Sequence, residues 1–409
     1  MLWWCALELH ASYAAIYSHE TVVAGIVLLG AAGGMGFTYY RRLQWRLVSA
    51  ILARMHRARK EQRARAAAAA IQRDGGAGVG DNFYRLTDAL LASLKRQLPP
   101  DVIHLHDHVS LVLADKLKAL YQLPIVWDAH EIYQELAGSD PQRAQANADI
   151  IAAKHPFIDY FITINASIAR FYQEHYPCMP NPHVVMNASM PAPVPVYDGR
   201  LHDAAQLPHE QKIILFQGRF SPHRGLPQLV EAAAALPEEW TLVMMGWGSL
   251  EAELRALASL HCRVGSSPTV VFLAGVPQHE LQQWSAGASL GVIPYENTSL
   301  NHLYCTPNKL WEYPHAGVPV LCSDLIEMAA VIEQYQFGFL LPREFTSADI
   351  VSVVSGLSPH ALATARTNCA RFLAANNWSV WERNLLAVYA DIRDSRPSAY
   401  SLAPSSNAA

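Results

Sequence analysis

The sequence predicts an α/β protein built from two doubly wound, parallel-sheet domains facing each other across a cleft. Three observations carry this expectation. From residue 82 onward short apolar runs alternate with helical stretches, a proline-rich polar stretch interrupts the alternation once, and the alternation then restarts with six further apolar runs. In the first half the strand candidates are 101–106 (DVIHLH), 124–128 (PIVWD), 160–164 (YFITI) and 183–186 (HVVM), with a helix over 111–121. PAPVP at 191–195 and the polar residues up to 211 read as an interdomain linker. The second half offers strands at 212–217, 241–245, 270–274, 290–294, 319–323 and 338–341, then an amphipathic helix over 378–392. The resulting domains are 76–195 and 212–377, joined by a linker at 196–211 and followed by a closing helix at 378–393. The small, polar tail 394–409 is expected to be disordered. In such sheets ligands bind at the C-terminal ends of the strands.

Composition narrows the function classes. At 409 residues the chain exceeds the roughly 150 residues of one ordinary domain, and 51% hydrophobic with 16% charged residues rules out a disordered chain. A net charge of −4 argues against a nucleic-acid binder, which needs a basic excess. The six cysteines form no C-x-x-C pair, so neither a disulfide scaffold nor a zinc knuckle is indicated and a reducing, cytosol-facing body is expected.

Residues 1–75 form a hydrophobic and Arg-rich segment of different character. Residues 21–40 carry no charge, a length close to the ~20 residues of a membrane-spanning helix. Tyr39 and Tyr40 suit an interface, and nine basic residues from Arg41 to Arg65 follow. The positive-inside rule then leaves the body on the cytoplasmic face of the inner (plasma) membrane, held by a single span or peripherally. Two other readings remain: a first buried strand, glycine turn and helix over the same residues, and a peripheral amphipathic segment. The basic stretch 41–75 suits either a helix on anionic lipid or a solvated helix. GGAGVG at 75–80 marks a boundary.

The chemistry gathers after the strands. In QGRFSPHRGLPQLVEA, Gly218 and Arg219 end a strand, and Arg224 and Gly225 open a helix whose N-terminal amides attract anions, so a diphosphate is the natural guest. Gly246-Trp247-Gly248 is a glycine turn that could let backbone approach a nucleotide, or simply a tight βα turn. In TPNKLWEYPHAGVPVLCSD, Asn308 precedes Lys309, and Lys309 and Glu312 share a helical face before a Gly-Val-Pro turn. A carboxylate there can accept both hydroxyls of a ribose. His130 follows PIVWDA at a strand end, where an imidazole can bond a sugar hydroxyl or steady a departing group. His104, His106 and His108 alternate, which raises a zinc reading, but no further ligand cluster is evident and no D-x-D motif occurs anywhere, so no metal site is expected.

In these residues the chain resembles the GT-B glycosyltransferases, specifically glycosyltransferase family 4. The resemblance spans about 101–392 and runs in family order through DVIHLHD, PIVWDAHE, YFITINASIARFY, HVVMNAS, QGRFSPHRGLPQLVEA, LVMMGWGSLEAEL, VVFLAGVPQHEL, LGVIPY and TPNKLWEYPHAGVPVLCSD. It implies two Rossmann-like domains, the first for the acceptor and the second for the donor. It also implies sugar transfer from a nucleotide-sugar donor with retention and without an essential metal or other cofactor. By the same resemblance Arg219 and Arg224 grip the diphosphate, Glu312 holds the ribose, Val276 meets the base, and His130 contacts the donor sugar. The closing helix would cross back onto the first domain.

Two departures stand out. The family often carries E-x7-E, but Tyr304 stands eight residues before Glu312, and SLNHLYCTPNKLWEY implies that Asn301 or loop amides do the contacting instead. The family's opening strand, glycine-rich loop and second strand are not recognisable before residue 80. The leading expectation is a glycosyltransferase extending a lipid-linked or polysaccharide acceptor at a membrane. The alternatives are a non-catalytic or N-terminally incomplete binding subunit and a sugar-nucleotide epimerase or hydrolase on the same scaffold.

Overall fold

A computed structural model of the chain describes Leu91, residues 100–261 and residues 269–395. The segment 1–75, with its expected membrane span, lies outside the described residues, as does the tail from 396. The chain divides into two units, residues 1–103 with 119–123 and residues 104–118 with 124–409. The first is described only at Leu91, the start of one strand and the end of one helix. The second carries both sheets.

Among the described residues the first sheet has four strands in sequence order: β1 (Ile103–His106), β2 (Ile125–Ala129), β3 (Tyr160–Thr163) and β4 (Pro182–Val184). The pairs β2–β3 and β3–β4 are parallel, so each crossover needs a helix. Helix Pro141–Lys154 begins with proline inside its first turn and with Asp140 accepting a hydrogen bond from the Arg143 amide. Helix Ala166–His175 is capped by Asn165, which accepts from the Ile168 amide at 2.9 Å. Trp127 of β2 is fully buried, stacked on Phe161 and edge-on to Tyr172, and its indole N–H donates to the Asp107 carbonyl.

The second sheet has six parallel strands in the order β10-β9-β8-β5-β6-β7. They are β5 (Lys212–Arg219), β6 (Trp240–Trp247), β7 (Val270–Ala274), β8 (Leu290–Ile293), β9 (Val320–Ser323) and β10 (Gly338–Leu341). Both faces are covered, and the period of two along a strand sorts the side chains between them. Ile213, Leu215, Val243 and Met245 enter one core with Trp311 and Phe372. Ile214, Phe216, Leu242 and Met244 enter the other with Leu229 and Ile350. This explains why these strands read as continuous apolar runs. Because β5 lies between β6 and β8, the winding reverses there, and a crevice opens at the C-terminal end of β5.

Two expectations on local structure are corrected. The helix expected over 111–121 is two helices, Asp107–Leu111 and Ala114–Tyr121, and the first starts directly at the end of β1, where Asp107 takes a left-handed φ of 60°. The stretch read as linker holds helix Arg200–Ala205, fixed by the Tyr197 hydroxyl, which accepts from the His202 amide at 3.0 Å. Helix Trp378–Asp394 packs on the first sheet. Asn384 Nδ2 donates to the Val184 carbonyl, the Tyr160 hydroxyl donates to Asp391, and the Trp378 amide donates to the Ser189 carbonyl. Among the described residues no helix is long and apolar enough to cross a membrane.

Candidate functional site

A cavity of about 290 Å³ opens at the C-terminal ends of β5, β6 and β7 beside the winding reversal. Six of the residues singled out in the sequence line it: Gly218, Arg224, Val276, Asn308, Lys309 and Glu312. Helix Lys309–His315 aims the last two. It is held to β5 by Tyr313, whose hydroxyl donates to the Leu215 carbonyl at 2.7 Å and accepts from the Gln217 amide at 3.2 Å. Gly291 makes room for the Tyr313 ring, since a Cβ there would stand 2.4 Å from it.

The electrostatics suit an anion with a polar tail. Arg224 packs its guanidinium over the Tyr295 ring at 4.4 Å and donates Nε to Ser221 Oγ. Burial pulls its pKa down from the ordinary arginine range, and neighbouring Arg219 adds to this, but a guanidinium stays charged. Lys309 Nζ sits over the Cα of Gly218 and 3.5 Å from the Tyr295 hydroxyl. Burial, and then Arg224, lower its pKa to about 8. Among the described residues neither cation is ion-paired with a carboxylate, so both charges are available to a guest. Glu312 accepts from Gln217 Nε2 at 2.9 Å and, more weakly, from Gln278 Nε2 at 3.4 Å. The two amides hold the carboxylate and leave lone pairs for hydroxyl donors.

Several residues are placed otherwise than their sequence context suggests. Gly246 and Gly248 are spacers between strand ends, because a Cβ would fall 1.8 Å from the Gly218 carbonyl and 2.0 Å from that of Phe220. It is the Trp247 indole, half-exposed, that lines the cavity. Arg219 is exposed at the end of β5 and outside the cavity wall. Asn301 is buried and ties the two sheets together, its Oδ1 accepting from the Ile132 amide at 2.8 Å. Gln217, Trp247, Gln278 and Tyr295 were not singled out in the sequence. A glutamine ending an otherwise apolar strand was the signal available for Gln217.

His130 lies at the end of β2, outside that cavity. Its Nε2 is 3.1 Å from Asp128 Oδ2 and its Nδ1 3.7 Å from Asp107 Oδ1. Burial alone would lower its pKa, but the Asp128 carboxylate outweighs this and raises it to about 10, so the ring is a cation that can donate. Asp107 is fixed by the Tyr133 hydroxyl, which donates to it at 2.5 Å. The strained backbone at Asp107 serves this placement.

Two parallel α/β sheets, with a cavity lined by Arg224, Lys309 and Glu312 at the winding reversal of the second, are the arrangement of the GT-B class. Solved structures agree on the fold. Sucrose-phosphate synthase from Thermosynechococcus elongatus superposes with a TM-score of 0.63 at 16% identity, covering 77% of this chain and 79% of its own. Anabaena HepE in complex with UDP and glucose does so at 0.60 and 17%, covering 77% and 83%. Residues 211–357 match the profile of glycosyl transferases group 1, and residues 56–188 match that of glycosyltransferase family 4. The chain belongs to this group 1, family 4 lineage of glycosyltransferases. It is similar to D-inositol 3-phosphate glycosyltransferase of Thermobispora bispora, 24% identical over 71% of this chain and 70% of that one. The Acidothermus cellulolyticus protein of the same name is 23% identical over 73% and 69%.

Proposed function

We propose that the protein moves a hexosyl group from a nucleotide-sugar donor to an acceptor hydroxyl with retention of anomeric configuration. The observation that carries this reading is the placing of two cations, Arg224 and Lys309, neither ion-paired among the described residues, beside the amide-held carboxylate of Glu312 in one cavity. Glu312 receives the ribose hydroxyls, Trp247 and Val276 face the base, and Arg224 and Lys309 receive the diphosphate, with Arg219 at the rim. As the bond from the anomeric carbon to the diphosphate breaks, negative charge accumulates on the phosphate oxygens. Fixed cations in a partly dehydrated cleft stabilise that charge more than they stabilise the bound ground state. These cations supply the charge that a divalent ion supplies elsewhere, so the donor chemistry proceeds without an essential metal or other cofactor. His130, held by Asp128, donates to the sugar.

The donor is proposed to be a uridine diphosphate sugar, in keeping with the UDP found in Anabaena HepE. Two acceptor classes are in view: lipid-linked or saccharide acceptors, as the sequence suggests, and phosphorylated polyols, as the names of the relatives suggest. Residues 21–40 and the arginines after them would hold the enzyme at the cytoplasmic face of the membrane, which alkaline carbonate extraction tests: release into the soluble fraction refutes a span. The test of the reaction is nucleotide release from UDP-, GDP- and ADP-sugars with three acceptor arms, a membrane lipid extract, free saccharides and phosphorylated polyols. NMR of the product reports the anomeric configuration. Release that needs both an acceptor and Glu312 supports transfer. Acceptor-independent release identifies a hydrolase instead.

A further inference from the structure

A cluster of histidines on β1 of the first sheet lies outside the donor cavity. His104 and His106 project from one face of β1 with their rings stacked at 4.2 Å, and Asp128 stands on the neighbouring strand β2. His106 Nδ1 is 3.1 Å and His104 Nε2 3.8 Å from Asp128 Oδ2, and one donor atom from each of the three residues lies within 4.8 Å of the others. His104 is 9% exposed, and its Nε2 is buried with no hydrogen-bond partner. The opposite nitrogen of that ring, Nδ1, is 2.5 Å from the Tyr389 hydroxyl of the closing helix, which leaves Nε2 aimed at Asp128.

We propose that His104, His106 and Asp128 form a binding site for a zinc-class divalent cation, with His104 Nε2, His106 Nδ1 and a carboxylate oxygen of Asp128 as ligands. A hydrogen-bonded hub explains the geometry less well. At 3.8 Å the contact of His104 Nε2 is beyond hydrogen-bond reach, so a hub leaves a buried ring nitrogen unsatisfied. Tetrahedral zinc with bonds of about 2.0–2.1 Å sets ligand atoms about 3.3 Å apart. The observed 3.1 and 3.8 Å bracket that spacing. The outer shell is also in place. Zinc-bound histidines usually have their second nitrogen held by another group, as Tyr389 holds His104, and ligating carboxylates accept further hydrogen bonds, as Asp128 can from His130 Nε2 at 3.1 Å. His106 is half-exposed, which gives an ion a route in and leaves a fourth position to solvent. The ligands are two imidazoles and one carboxylate, a borderline set that favours zinc or cobalt over magnesium. The site is separate from the diphosphate cations, and it shares Asp128 with His130, the proposed sugar contact.

The test uses the full chain with any affinity tag removed, stripped with chelator and then dialysed against Zn²⁺, Co²⁺ or Mg²⁺ alone. The wild-type protein is expected to retain one equivalent of Zn²⁺ at low-micromolar free metal and to bind Mg²⁺ at least a hundredfold more weakly. Its Co²⁺ form is expected to show the intense visible bands of four-coordinate cobalt. Exposed His360→Ala should keep the equivalent, whereas His106→Ala and the isosteric Asp128→Asn should each lose it, with circular dichroism confirming that both are folded. No stoichiometric uptake by folded wild-type protein, or uptake unchanged in both variants, overturns the site. UDP binding measured on the same samples fails only if the donor reading fails, so the two outcomes are read separately.

Discussion

Gln217 donates its amide to Glu312 at 2.9 Å while its own carbonyl oxygen accepts from the buried hydroxyl of Ser285 at 2.6 Å. A chain of three side chains therefore runs from the floor of the second sheet to the Glu312 carboxylate, the proposed ribose anchor. Gln217 follows the buried apolar run Ile213–Phe216 of β5 and is itself buried, so its polar end is satisfied by this chain. Replacing it with alanine removes a hydrogen bond to a charged group, about 1.5–3 kcal/mol. Gln217→Ala is expected to raise the donor KM about tenfold or more with a smaller change in kcat. Steady-state kinetics with the donor varied checks this, and an unchanged KM would count against Glu312 as the ribose anchor.

Lys309 gives the site a pH dependence. Its pKa is lowered to about 8 by burial and by Arg224, below the roughly 10.4 of a free lysine. Between these values the unfolded chain binds the proton and the folded chain does not, so stability contributed by this group rises with pH across that window. In the proposed binding mode donor affinity runs the other way, because the ammonium of Lys309 faces the diphosphate. The donor KM should therefore climb as pH rises through about 8, and Lys309→Met should flatten that climb while raising the neutral-pH melting temperature. Parallel kinetics and thermal melts of the two proteins decide it.

Gly225 takes a left-handed φ of 60° where the loop enters helix Leu226–Ala233, and a Cβ there would lie 2.2 Å from the Pro294 carbonyl. Left-handed backbone costs a non-glycine residue about 1–2 kcal/mol, and the clash adds to it. Gly225→Ala is expected to destabilise the fold by about 2 kcal/mol or more and to displace Arg224. Chemical denaturation measures the first effect and donor titration the second.

Trp247 is 53% exposed, and its indole lies across Gly275 at the cavity wall. An aromatic surface left this open at a cavity wall suits stacking on a base. Trp247→Ala should weaken nucleoside-diphosphate binding three- to tenfold without lowering the melting temperature. Weakening that is equal for UDP and for inorganic diphosphate would remove the base from this account.

The strands were legible because β-branched and apolar runs bounded by turn residues have one economical arrangement in parallel sheets, and all ten lie within about two residues of their expected bounds. That Glu312, Lys309 and Arg224 come together at strand ends was legible because charges beside strand ends and helix starts have few uses. What escaped depends on contacts between distant residues. Nothing local shows that Gly246 faces the Gly218 carbonyl, or that Asn301 bonds the Ile132 amide 169 positions away. Asp128 was hidden for the same reason: its histidine partners come from another strand and from the turn beyond its own. The helix at Arg200–Ala205 was missed because its six residues are too short for a periodic signal, and Tyr197 holds it from outside.

The central claim is that the cavity beside β5 and β8 receives the nucleoside diphosphate of a sugar donor. Calorimetric titration of UDP, GDP and ADP into the wild-type protein and into Glu312→Ala tests it most directly. The account predicts saturable binding of one nucleotide per chain, tightest for UDP, and at least tenfold weaker binding in the variant, shown to be folded by circular dichroism. Nucleotide binding that is equal in the two proteins, or absent from folded wild-type protein, would contradict it.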